Sequence, residues 1–130
     1  MKTRAIVLLA LLPLLAVGCT GRTETKSKTG HTYTVRARVE QLPAQGSGLV
    51  LTHEAVDDWM GRSGKIEGMD TMTMPFPVAE DVSLAGIQPG DVVEVQLHVD
   101  WNADLAVQIT SLRELPPETR LDFRSAKPKP

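Results

Sequence analysis

The sequence predicts a small all-β domain, a five-stranded antiparallel barrel. Three observations carry this: apolar and polar residues alternate along several short runs, Gly- and Pro-bearing turns separate the runs, and almost nowhere does a helical period persist. The first run begins at His31, where Tyr33, Val35, Ala37 and Val39 share one parity against Thr34, Arg36, Arg38 and Glu40. Pro43 to Gly48 supplies a turn, and Leu49 to His53 returns as a second strand. Glu54 to Asp70 has no sustained period and holds three glycines, so it reads as a long loop. Loops beyond about 12–15 residues in a compact domain are usually functional or disordered. Thr71 to Val78 is the third strand, and Pro75 and Pro77, which lack an amide hydrogen, assign it to an edge. Val82 to Gly86 reads as a short turn of helix and Pro89-Gly90-Asp91 as a turn. Val92 to Trp101 is the fourth strand, with Val93, Val95, Leu97 and Val99 facing inward and His98 facing water. After a turn at Asn102-Ala103-Asp104, Leu105 to Leu115 closes the set with Leu105, Val107, Ile109 and Ser111 on one face. Closing the sheet removes exposed edges, which suits a short domain with few aromatic residues to fill its core.

The chain of 130 residues divides into four parts. Residues 1–18 read as a secretory leader: Lys2 and Arg4 precede an apolar run, Ala5 to Val17, that is too short to span a bilayer as a helix. Gly18-Cys19 follows, and the arrangement resembles a bacterial lipoprotein leader in which Cys19 becomes the acylated first residue of the mature chain. Acyl chains on that residue would anchor the protein in a membrane, and Thr20 rather than Asp after the cysteine points to the outer membrane of the cell envelope. Residues 19–30 form a polar tether, residues 31–115 the barrel, and the charged, Pro-rich residues 116–130 a tail expected to be disordered. Cys19 is the single cysteine, so no internal disulfide is available.

Charge narrows the function. The whole chain has 14 Lys+Arg against 16 Asp+Glu; Lys2 and Arg4 leave with the leader and every acidic residue lies beyond position 20, so the mature balance is 12 against 16. A mildly acidic protein with two Trp, two Phe and one Tyr lacks the basic groove and stacking rings that nucleic acid requires. No nucleophile sits in a Gly-x-Ser-x-Gly turn or beside a general base, and the chain is read as a non-enzyme. Asp57-Asp58 lacks the further carboxylates of a calcium loop and reads as solvated, as does His31.

The four methionines beyond the leader, Met60, Met69, Met72 and Met74, all lie within fifteen residues. On a strand Met72 and Met74 stand on one face, continuing to Phe76 and Val78, while His53 ends the preceding strand at the mouth of the long loop. Two thioethers and an imidazole form a neutral, soft donor set of the kind that selects Cu(I), and by the same logic Ag(I), over zinc. Methionine is also the adaptable filler of apolar cores, so packing alone accounts for the cluster equally well.

The segment from Leu49 to Phe76 pairs a His53-Glu54-x-Val56 start with a Met69-x-x-Met72-Thr73-Met74-x-Phe76 end, and Leu84-x-Gly86-Ile87-x-Pro89-Gly90-Asp91 follows. In these motifs, over about residues 31–115, the chain resembles the CusF-like family of periplasmic copper- and silver-binding proteins. The resemblance implies an OB-type barrel holding one Cu(I) or Ag(I), with His53, Met72 and Met74 as ligands. Met69 stands where the best-known members carry a Trp over the metal, and a thioether there would be a fourth ligand in place of a cation–π cap. The loop from Asp57 to Gly68 is longer than in those members, which leaves Trp59 as a cap or a surface anchor and Met60 as an accessory ligand or a bystander. The implied role is a monomeric metallochaperone or metal buffer, passing copper to an exporter or a copper-assembly protein. The competing reading is a lipoprotein interaction module whose long loop docks a protein partner without metal.

Overall fold

The alternation along residues 31–41 folds as a long strand because its apolar parity has two neighbouring strands to face. In a computed structural model describing residues 30–130, the strands are β1 (His31–Gln41), β2 (Leu49–His53), β3 (Met72–Phe76), β4 (Val92–Val99) and β5 (Val107–Glu114). The leader, Cys19 and the tether up to residue 29 lie outside the described residues. All pairings between strands are antiparallel, in the order β3-β2-β1-β4-β5. β1 serves two partners: residues 31–38 pair with β4, and Ala37 to Gln41 with β2. Tyr33, Val35, Ala37 and Val39 are buried, together with Leu49, Leu51, Phe76, Val93, Val95, Leu97, Val99 and Ile109.

The outer strands meet only just beyond β3. Val78 makes a single parallel bridge to Ile109. Ile109 N–H donates to Pro77 O at 2.8 Å, and Ala79 N–H donates to Ile109 O at 2.9 Å. The sheet therefore curls towards a barrel without a continuous β3–β5 ladder. Pro75 and Pro77 explain why, since neither has an N–H to offer.

Three local expectations are corrected. Val82 to Gly86 is not helical: it makes separate turns, with Val82 N–H bonded to Ala79 O at 3.0 Å and Ile87 N–H to Leu84 O at 3.1 Å. So short a segment cannot offset the cost of helix nucleation, and Gly86 at φ 80° breaks the right-handed path. In β5, which begins only at Val107 and leaves Leu105 exposed, the inward set is Val107, Ile109 and then Leu112, not Ser111, because the register against β4 shifts between Gln96 and Leu97. The extra residue of this bulge, Thr110, reverses the parity after it.

The third correction concerns residues 116–130, whose composition suggests disorder. Instead the chain runs back along the long loop. Arg124 makes a bidentate ion pair with Asp57, both N–O distances 2.8 Å, and its Nε lies 3.2 Å from Asp122. Lys127 N–H donates to Asp57 at 2.8 Å, and Ala126 N–H to Asp70 at 2.7 Å. Arg38 stacks its guanidinium 5.4 Å from the centroid of Phe123. Composition misleads here because the tail's charges meet complementary charges on the loop, and its prolines leave less chain entropy to lose.

This attachment carries a pH signature. The Asp57 carboxyl is drawn down from 3.8 to about 2, first by the Arg124 hydrogen bonds and then by the Lys127 amide. A depressed folded-state pKa contributes stability that is complete above the unfolded value and lost as pH falls through the folded one. The protection of amides across residues 122–127, relative to their intrinsic exchange rates, should therefore hold above about pH 4 and fall as the pH drops to about 2. Unchanged relative protection over that interval would contradict the ion pair.

Candidate metal centre

The β2–β3 hairpin sets the geometry. His53 pairs with Met72, Leu51 with Met74 and Leu49 with Phe76. Directly opposed residues of an antiparallel pair share a face, with Cβ atoms about 4.5–5.5 Å apart, and diagonal neighbours lie at about 7–8 Å. Since Leu49, Leu51 and Phe76 are buried, the shared face is the inner one. Burial falls along β3 from Phe76, through Met74 packed against the core, to Met72, which is 43% exposed. The hairpin thus brings His53, Met72 and Met74 to one face, at the end where it opens towards solvent.

His53 is the sole buried polar or charged side chain among the described residues. Its Nδ1 lies 2.7 Å from Glu54 O. A carbonyl oxygen only accepts, so Nδ1 carries a proton, and in the neutral ring Nε2 is the atom with the free lone pair. Nε2 is buried and has no hydrogen-bond partner. Leaving a buried polar atom unsatisfied costs about 1–3 kcal/mol, and an orphan of this kind calls for a ligand to explain it. Phe76 meets the imidazole edge-on, ring centroids 5.7 Å apart, and fixes the ring from below.

The group that orients His53 is itself held. Glu54 N–H donates to Arg36 O at 2.9 Å, and the Glu54 carboxylate accepts from Arg36 Nε at 3.0 Å and Nη2 at 2.8 Å. Thr71 Oγ1 donates to His53 O at 2.6 Å, tying β2 to the residue before Met72. Such outer contacts fix the tautomer and direction of a ligating imidazole.

Met69 belongs to the same hairpin. It bridges Val56 with reciprocal backbone hydrogen bonds of 2.8 and 2.9 Å, and its side chain packs against the core. Trp59 takes a different position. It is buried, with its ring centroid 4.9 Å from Tyr33 and 6.2 Å from Trp101, whereas the ring contact of His53 is with Phe76. Met60 is joined to the same aromatic group through its backbone: its N–H donates to Tyr33 Oη at 2.9 Å, and its carbonyl accepts from Trp101 Nε1 at 3.1 Å. Met60 also lines an open pocket of about 250 Å³ with His31 and Trp101. Sequence reasoning missed the Glu54 carbonyl and the tail. Neither has a local motif, although the cationic tail and the acidic loop are complementary in charge.

Among the described residues no three His, Cys, Asp or Glu side chains gather into a group that could hold a metal ion. The donors at the open end of the hairpin are one imidazole and thioethers, which suit a soft monovalent cation better than zinc or calcium. Fold and side-chain chemistry together describe a small β-domain whose open hairpin end carries soft donors. Residues 32–114, spanning nearly all of β1 through the end of β5, match the family of the copper binding periplasmic protein CusF, and the chain belongs to that family. Comparison with curated proteins and with solved structures gives no match.

Proposed function

We propose that this protein is an envelope lipoprotein that binds one Cu(I), with Ag(I) as its analogue, through His53, Met72 and Met74, and buffers the ion or hands it to a partner. The observation that carries the reading is the buried, unpartnered Nε2 of His53 on the face it shares with both methionines. Met69 is the fourth donor. Membership of a copper-binding periplasmic family supports the cargo and the compartment. The leader and Cys19 support anchoring by lipid, with the outer membrane as its address. Exposure of Met72 supports hand-over, because an incoming thioether from an exporter or a copper-assembly protein can reach the ion there before the buried imidazole lets go.

The experiment is a titration of the methionine methyl resonances with Ag(I). Met72 and Met74 should shift and saturate at one equivalent, with Met69 following and Met60 unmoved. Met72→Ile with Met74→Ile keeps side-chain volume nearly constant, so the domain should fold while its affinity collapses. A double variant that binds Ag(I) like the parent would refute the ligand assignment. A parent that ignores Ag(I) would instead favour the interaction module.

A further inference from the structure

The C-terminal strap, residues 116–130, touches the hairpin at Glu54, Gly68, Asp70 and Thr71, each next to a proposed ligand, and it is pinned further along the loop at Asp57. Asp122 N–H donates to Glu54 Oε1 at 2.7 Å, on the residue whose carbonyl orients His53. Thr71 N–H donates to Arg124 O at 3.2 Å and Ala126 N–H donates to Asp70 Oδ1 at 2.7 Å, so both residues between Met69 and Met72 are held. Gly68, immediately before Met69, has φ 70°, and a Cβ there would lie 2.8 Å from Ala126 Cβ, so backbone and strap are in close contact. Arg124 and the Lys127 amide then pin Asp57, at the start of the inserted loop.

The barrel does not need these contacts. No strap residue belongs to the buried core, which is drawn from the five strands with Val56, Trp59 and Ile87, and the strap reaches the strands through the Arg38–Phe123 stack on β1. What the strap fixes is the segment that carries Met69 into Met72 and the turn that aims His53. Thr71 is the centre of this arrangement: its hydroxyl holds the carbonyl of His53 while its amide is held by the strap. We propose that the C-terminal strap, locked by Arg124 on Asp57, is a positioning element of the metal site that pre-organises Met69, Met72 and His53 and slows release of the ion. The inference rests on the proposed Cu(I)/Ag(I) site, and it assigns to Arg124 a role through other residues, with no contact to the metal. Preorganisation of this kind is felt as affinity, since ordering the hairpin need not be repeated at each binding event.

The test uses the full mature chain and two variants, Arg124→Ala and Arg124→Lys. Three measurements are made: thermal unfolding of the apo-protein, hydrogen exchange of amides 54–71, and affinity and release rate for Ag(I) alone, the latter against a competing chelator. Arg124→Ala should unfold within a few degrees of the parent, as for the loss of a surface ion pair. Its amides at 54–71 should exchange faster, and Ag(I) affinity should fall by about ten-fold, the lower end of the usual effect of outer contacts on metal sites, mostly through faster release. Arg124→Lys should recover part of the affinity, because a single charge replaces a two-pronged fork. Equal affinity and release for parent and Arg124→Ala overturn the inference and leave the proposed function standing. A parent that fails to bind Ag(I) overturns both, and the exchange data on apo-protein then show whether the strap clamps the hairpin at all. Faster exchange accompanied by a large fall in melting temperature also overturns it, since the strap would then be holding the fold rather than the site.

Discussion

His53→Leu should abolish Ag(I) binding at concentrations that saturate the parent, while leaving an apo-protein as stable as the parent or more so. The two halves of this result have different origins. Loss of binding follows because Nε2 is the nitrogen donor of the proposed set, and two or three thioethers without it are an incomplete shell. Retained stability follows from the hydrogen-bond ledger of the free protein. The substitution removes one satisfied bond, Nδ1–H to Glu54 O, worth about 1 kcal/mol. It also removes the buried orphan at Nε2, whose burial without a partner costs about 1–3 kcal/mol. Leucine continues the apolar face already formed by Leu49 and Leu51 on β2 and by Phe76 opposite. A histidine kept only for packing would behave oppositely: leucine would leave Ag(I) binding intact. Chemical denaturation of the apo-protein and Ag(I) titration of the same sample separate the two. Native-like Ag(I) affinity in His53→Leu would remove the imidazole from the site.

That prediction marks how far sequence reasoning reaches. The pair Met72 and Met74, and the position of His53 opposite them, follow from strand parity and hairpin order, because side-chain direction in a ladder is a property of the backbone repeat. β1 and β2 were legible for the same reason: their apolar residues alternate without interruption, and Tyr33 through Val39 are buried at every second position. β5 was not, since Thr110 is an ordinary residue for a strand, and nothing in its chemistry announces that it bulges and hands the inner face to Leu112. The tautomer of His53 was equally hidden, because it depends on the direction of a single carbonyl after the strand ends. The strap lay furthest out of reach. Its contacts join residues 122–127 to residues 54–71, and a stretch rich in charge and proline reads as disordered until its partners are known.

The inserted loop supplies the largest expected effect on stability. Trp59→Ala should destabilise the apo-protein by about 3–5 kcal/mol, the range for truncating a buried aromatic residue, out of a total near 5–15 kcal/mol. Trp59 is 8% exposed and packs against Tyr33 at 4.9 Å and against Trp101 at 6.2 Å, edge-on. Its backbone also organises the loop, since Trp59 O accepts from Glu67 N at 2.9 Å and from Gly68 N at 3.2 Å. Tyr33 Oη and Trp101 Nε1 bind the backbone of Met60, so the three rings hold the loop by polar as well as apolar contacts. Removing the indole leaves a void between two rings whose own positions are fixed by β1 and by the end of β4, and neither can collapse into it freely. For a domain of this size a loss of 1 kcal/mol lowers the melting temperature by about 4–8 °C, so the fall should exceed roughly 12 °C. Far-UV circular dichroism followed through thermal unfolding measures it. The magnitude also decides between the two readings of this residue. A tryptophan that caps the metal would, on truncation, lower Ag(I) affinity and leave the melting temperature of the apo-protein within a degree or two. An anchor lowers the melting temperature in the absence of any metal, and disturbs the site only as far as the loosened loop releases Met69 from Val56.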